Sequence, residues 1–139
     1  MARIARLADR DYARLLAVRT RLRQFEHWSA EQAAEHDLTA SQHQLLLAVR
    51  GHDGTVGPTI GEAADYLMVR HNTAVELVNR TQELGLLVRE RDDTDHRVVR
   101  LELTGEGRTR LASLTAAHVE ELSRLTPMID ALIAALSQG

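Results

Sequence analysis

The sequence predicts a mostly helical fold interrupted once by a small β-hairpin, and three patterns carry that prediction. Apolar residues recur at intervals of three and four over most of the chain, as in Leu15, Val18, Leu22 and Phe25. Strand-like alternation is confined to 87–91 and 98–103, on either side of the turn-rich Asp92-Asp93-Thr94-Asp95. Two capping-box patterns, Thr39-x-x-Gln42 and Thr59-x-x-Glu62, punctuate the stretch before the hairpin. At 139 residues the chain is expected to be a single domain over 1–139, large enough to bury a core without crosslinks.

Taken in order, residues 5–29 read as one helix whose apolar seam wants a partner. A break follows at Glu35-His36-Asp37. Thr39 opens a helix to about Arg50, with Leu45, Leu46 and Val49 inward, and Gly51–Pro58 forms a loop. Thr59 opens a short helix to about Leu67, and Met68-Val69-Arg70 makes the turn into a helix over 71–84. That helix has Ala74, Leu77, Val78, Thr81 and Leu84 on one face. His71, Asn72, Thr73, Glu76, Asn79, Arg80 and Glu83 lie on the other. Gly85 stands where a left-handed residue ends a helix. After the hairpin, Thr104 caps a roughly heptad-spaced helical run through Leu111, Leu114, His118, Glu121 or Leu122, Leu125, Ile129, Leu132 and Leu136. Pro127 is expected to split this run into helices at 105–125 and 127–137.

Composition excludes several function classes. Apolar residues are 44% and charged residues 27%, the balance of a globular soluble protein rather than a disordered one. The absence of cysteine removes disulfides, thiolate metal sites and thiol redox sensing. The charged first thirty residues are unlike a signal peptide, and the longest apolar run, Leu45–Val49, is too short for a membrane span. A cytoplasmic protein with no membrane partner is the expectation. The histidines raise a metal hypothesis through His27, Glu31 and Glu35 at i, i+4 spacing and through His118 near Glu120 and Glu121. Without a His-x-x-x-His pair they read as surface histidines, so neither metal nor cofactor is expected. No nucleophile–base pair or phosphate-cradling loop stands out, which argues against an enzyme.

Two short helices joined by a tight turn, followed by a hairpin, define a winged helix-turn-helix at 38–104. The second helix presents only polar side chains at its outward start, as reading of base edges requires; Asn can pair with adenine and Glu can accept from a cytosine amino group. Glu76 is therefore a candidate specificity residue. Charge is the opposing observation. The net charge is −3, and residues 67–104 carry six arginines (70, 80, 89, 91, 97, 100) against seven acids (76, 83, 90, 92, 93, 95, 102). All 17 basic residues of the chain are arginine, a residue suited to phosphate and guanine, although codon bias alone produces the same composition.

Asp95-His96-Arg97, followed after five residues by Leu103-Thr104 and Gly105-Glu106-Gly107, resembles the wing motif of the MarR (multiple antibiotic resistance regulator) family. The run Glu76 to Leu86 resembles the recognition helix of that family and its exit. The resemblance implies a homodimeric transcriptional regulator, a repressor by expectation, bound to a pseudo-palindromic operator in double-stranded DNA. It implies dimerisation through 5–29 and 105–137. Arg97 would enter the minor groove from the wing tip, oriented by Asp95, and 71–80 would read the major groove. The DNA-binding candidates are Arg70, His71, Asn72, Thr73, Glu76, Arg80, Arg89, Arg91, Asp95 and Arg97; strand alternation leaves the facing of Arg89, Arg91 and Arg100 open. Family members often bind small aromatic acids, so a small anionic or aromatic effector is expected, with Arg14, Arg19, Arg23, His27 and Trp28 as lining candidates. An arginine stripe, Arg3, Arg6, Arg10 and Arg14, is either a solvated face or a DNA or effector contact. Arg70 and Glu76 depart from the family, standing where a small capping residue and a basic or small polar residue are common. The alternatives are a winged-helix protein-interaction module without DNA and a metal-responsive regulator.

Overall fold

A computed structural model describes residues 7–137; Arg3 and Arg6 of the arginine stripe and the expected helix start at residue 5 lie outside them. Five helices and one hairpin follow in the order α1 (Asp9–Glu35), α2 (Ala40–Gly51), α3 (Ile60–Leu67), α4 (His71–Glu83), β1 (Leu87–Arg91), β2 (Val99–Leu103) and α5 (Gly105–Ser137). The described residues group as two compact units, one of 7–31 and 116–137, the other of 32–115.

The central unit owes its boundaries to side-chain chemistry that is mostly local. Both capping boxes are complete: the Thr39 hydroxyl accepts from Gln42 N–H, the Thr59 hydroxyl accepts from Glu62 N–H, and both partner side chains reach back. Thr104 likewise accepts from Gly107 N–H at 3.1 Å and donates to the Gly85 carbonyl at 2.6 Å. Gly85 has φ 76°, the left-handed exit expected after α4. The α3–α4 turn is made by Met68, which also adopts left-handed backbone (φ 55°) without being glycine. Its amide bonds back to Ala64 and Asp65 carbonyls and closes α3. Strands β1 and β2 pair antiparallel, Leu87 opposite Leu103 and Arg89 opposite Leu101. The segment before α3 lies beside β2, Leu101 N–H donating to the Pro58 carbonyl at 2.8 Å. This approach requires Gly57, since a Cβ there would come within 1.8 Å of the Leu101 carbonyl oxygen.

One core runs through this unit. Leu45, Leu46 and Val49 from α2, Ala63 from α3, Val78 from α4, Leu86 just before β1, and Leu87, Leu101 and Leu103 from the hairpin pack together. Ala33 at the end of α1 and Leu111 and Leu114 at the start of α5 join them, so the compact unit extends beyond 38–104 on both sides.

Three expected boundaries change. The first helix ends at Glu35 rather than 29, because Ala30-Glu31-Gln32-Ala33-Ala34-Glu35 are strong helix formers and the left-handed Asp37 (φ 59°) supplies the stop. It begins at Asp9, where Asp9 and Asp11 favour the positive helix start and Asp11 accepts from Ala8 N–H at 2.9 Å. The expected split at Pro127 does not occur: α5 is continuous, with Pro127 inside it. A proline removes one backbone donor, and helix-forming residues on both sides carry the segment across. Leu84, expected on the inward face of α4, is exposed because α4 has ended and Leu84 is its C-cap.

In the terminal unit, Phe25 and Trp28 of α1 surround the His118 ring of α5, with centroids at 5.9 and 4.8 Å. The Ser29 hydroxyl lies 2.6 Å from His118 Nε2. Val18 and Leu125 are buried, but Leu15, Leu16, Leu22, Val119, Leu122 and Ile133 are not.

Candidate nucleic-acid interface

Helix α4 buries Ala74, Val78 and Thr81 and turns His71, Asn72, Thr73, Glu76, Asn79 and Arg80 outward, all exposed. Thr81 is a core residue, its hydroxyl donating to the Leu77 carbonyl at 2.7 Å. Arg70 is the N-cap but makes no side-chain capping bond. The helix start thus lacks the cap that closes α2 and α3, and Asn72 Oδ1 accepts from Thr73 N–H at 3.0 Å. Glu76, Arg80 and Thr73 line a groove shared with Thr39, Ser41 and Gln42 at the start of α2. Among the described residues Arg70, Glu76 and Arg80 form no ion pair.

The wing is organised by two aspartates. Asp92 accepts from Thr94 N–H (3.1 Å), the Thr94 hydroxyl (2.6 Å) and Asp95 N–H (3.0 Å), and pairs with Arg100 Nε at 2.7 Å. These bonds, the Thr94 hydroxyl foremost and then Arg100, hold its carboxyl well below the ordinary carboxylate range. Asp95 accepts from the Arg97 backbone N–H and takes its guanidinium through two bonds of 3.1 and 3.2 Å. The Arg97 side chain is nevertheless 90% exposed. The contact with Asp95 lowers the Asp95 pKa and raises that of Arg97, so a cation is held outward at the tip rather than neutralised in a buried pair.

The remaining wing arginines have structural partners. Arg91 donates to the His96 carbonyl at 3.0 Å. Arg100 bonds Asp92 and the Gly57 carbonyl (3.1 Å) and lies 3.8 Å from Glu62, tying β2 to the wing loop and to α3. Arg89 reaches α4, donating to Gln82 and to Asn79 at 2.7 Å. Gln82 and the Arg100–Asp92 brace were not read from the sequence. Their partners lie in different elements, and the only local signal was the repeated Asp and Thr of the turn.

The effector candidates all lie on α1 and differ in their surroundings. Arg14 donates to the Ala135 carbonyl at 3.1 Å and lies 3.9 Å from Asp11. His27 pairs with Glu31 at 2.9 Å. Arg19 and Arg23 are exposed. Trp28 lines a cavity of about 410 Å³ with Arg21, Phe25, Glu121, Arg124 and Met128. Among the described residues no three His, Asp or Glu side chains converge as a metal site.

Residues 36–98 match the sequence model of the MarR family, and no curated protein matches the chain. The fold is that of solved MarR proteins. A MarR family protein from Bacillus stearothermophilus superposes with a TM-score of 0.74 at 20% identity, over 95% of this chain and 96% of its own. The Staphylococcus aureus MepR–DNA complex gives 0.66 at 21% identity, over 84% and 91%. CouR from Rhodococcus jostii, bound to p-coumaroyl-CoA, gives 0.66 at 20% identity, over 81% and 84%.

Proposed function

We propose that this chain is a MarR family winged-helix transcription regulator that binds a pseudo-palindromic operator in double-stranded DNA as a homodimer and acts there as a repressor. The match of residues 36–98 to the sequence model of that family supports this reading. The observation that carries the reading is the pairing of a polar, outward α4 face with an exposed Arg97 held at the wing tip by Asp95. The helix would read the major groove through His71, Asn72, Thr73 and Glu76, while Arg97 enters the neighbouring minor groove. Arg70 and Arg80 are free to meet phosphates, which offsets the lack of a net basic charge by local placement. MepR has been seen with DNA, which supports the reading.

The proposed dimer uses the apolar residues that the terminal unit leaves exposed, Leu15, Leu16 and Leu22 on α1 with Val119, Leu122 and Ile133 on α5. A small anionic or aromatic effector would release the repressor by favouring a state less suited to DNA. CouR with its p-coumaroyl-CoA supports a ligand of that kind, and the cavity floored by Phe25 and Trp28 is where we would seek it. No helix of the described residues is long and apolar enough to cross a membrane; we place the protein in the cytoplasm and assign it no catalytic activity. Arg97→Ala tests the reading. Operator titrations should show weaker binding and a salt slope reduced by about one unit or less, whereas unchanged affinity would remove the wing from the interface.

A further inference from the structure

Resting on that DNA-binding reading, we propose that Arg89 sets the base preference of Asn79 and makes it a reader of guanine. Arg89 stands on β1 and donates across to Asn79 Oδ1, at 2.7 Å, and to Gln82 Oε1 on α4. A guanidinium has donors and no acceptor. Each carboxamide must therefore turn its oxygen toward Arg89 and its NH2 group away. Among the described residues neither NH2 group donates to a protein acceptor.

The orientation has a chemical consequence. An unconstrained asparagine offers one donor and one acceptor, the pair that matches adenine N6 and N7. With its oxygen held by Arg89, Asn79 offers two outward N–H donors. Guanine presents two acceptors in the major groove, N7 and O6, and adenine presents only N7. Asn79 also lies on the reading stripe. It is seven residues after Asn72 and three after Glu76, which brings all three to one side of the helix, and all three are exposed. Gln82 lies toward β1 and serves as the second anchor for the guanidinium. Arg89 acts through Asn79 and is a positioning residue.

The test is selection from randomised DNA by the wild-type protein, Arg89→Met and Asn79→Ala, with base ratios read at each motif position. The wild type should favour guanine over adenine by on the order of tenfold at one position in each half-site. Asn79→Ala should abolish that preference. Arg89→Met should bring adenine close to parity there while other positions keep theirs. A purely structural bridge would alter affinity without moving that ratio. An unchanged guanine-to-adenine ratio in Arg89→Met, or a motif insensitive to Asn79→Ala, overturns the inference and leaves DNA binding intact. A wild-type protein that enriches no motif overturns the DNA-binding reading and this inference with it. Asn79 is exposed, so Asn79→Ala keeps the test decisive should Arg89→Met fail to fold.

Discussion

Leucines near the middle of the chain and leucines near its ends meet different surroundings. Leu45, Leu46, Leu86, Leu87, Leu101 and Leu114 are fully buried, whereas Leu15, Leu16, Leu22 and Leu122 remain 45–64% exposed. The central unit closes a core from its own helices and hairpin. The terminal unit is built from parts of two helices, which cannot cover all their apolar faces on one another. The difference teaches where the proposed dimer would draw on a second copy: the element that would touch DNA closes its own core, and the elements that would set the spacing of two such units leave apolar side chains exposed.

The comparison breaks most sharply at single leucines. Leu45→Ala should cost about 2–5 kcal/mol in denaturant unfolding, as deletion of a fully buried side chain does. Leu16→Ser, at a position 64% exposed, should leave the single chain folded and shift sedimentation toward the monomer. Equal losses of core stability from both would erase the distinction between the units.

A second contrast lies within α5. A Cβ at Gly107 would fall 2.0 Å from the Leu86 carbonyl oxygen, whereas at Gly105 it would meet nothing within 4 Å. Gly107→Ala should therefore destabilise by about 1–3 kcal/mol, the usual range for overpacking. Gly105→Ala should be neutral or slightly stabilising in the same denaturant titration. The difference tests whether α5 begins tight against the exit of α4, as the core requires.

The smallest effect concerns the polar order of the wing. Asp92 has its folded pKa depressed by Thr94 and Arg100. Its contribution is fully present above the ordinary carboxylate range and is lost only as pH falls through the depressed folded value. Hydrogen exchange of the hairpin amides should thus show Asp92→Asn less protected than wild type at neutral pH, with the gap closing under strongly acidic conditions. A gap that widened on acidification would contradict the assignment.

These contrasts follow how far each feature could be read from the residues alone. The capping boxes at Thr39 and Thr59, the exit at Gly85 and the two strands depend on neighbours within a few positions, and pattern is enough to find them. Asp95 and Arg97 are two residues apart, so their pairing was also legible. Arg100 reaches Gly57 across 43 positions, and Arg89 reaches Asn79 across ten, so their partners depend on hairpin register and helix placement. Pro127 misled for a different reason: its ring breaks a local rule that the surrounding helix formers override.

The central claim is sequence-specific DNA binding by a pair of these chains. Its most direct measurement is selection of bound fragments from genomic DNA by the purified protein, followed by sequencing. The account predicts enrichment of a pseudo-palindrome whose half-sites lie about one helical turn apart. Recovery of fragments with no shared motif would contradict it.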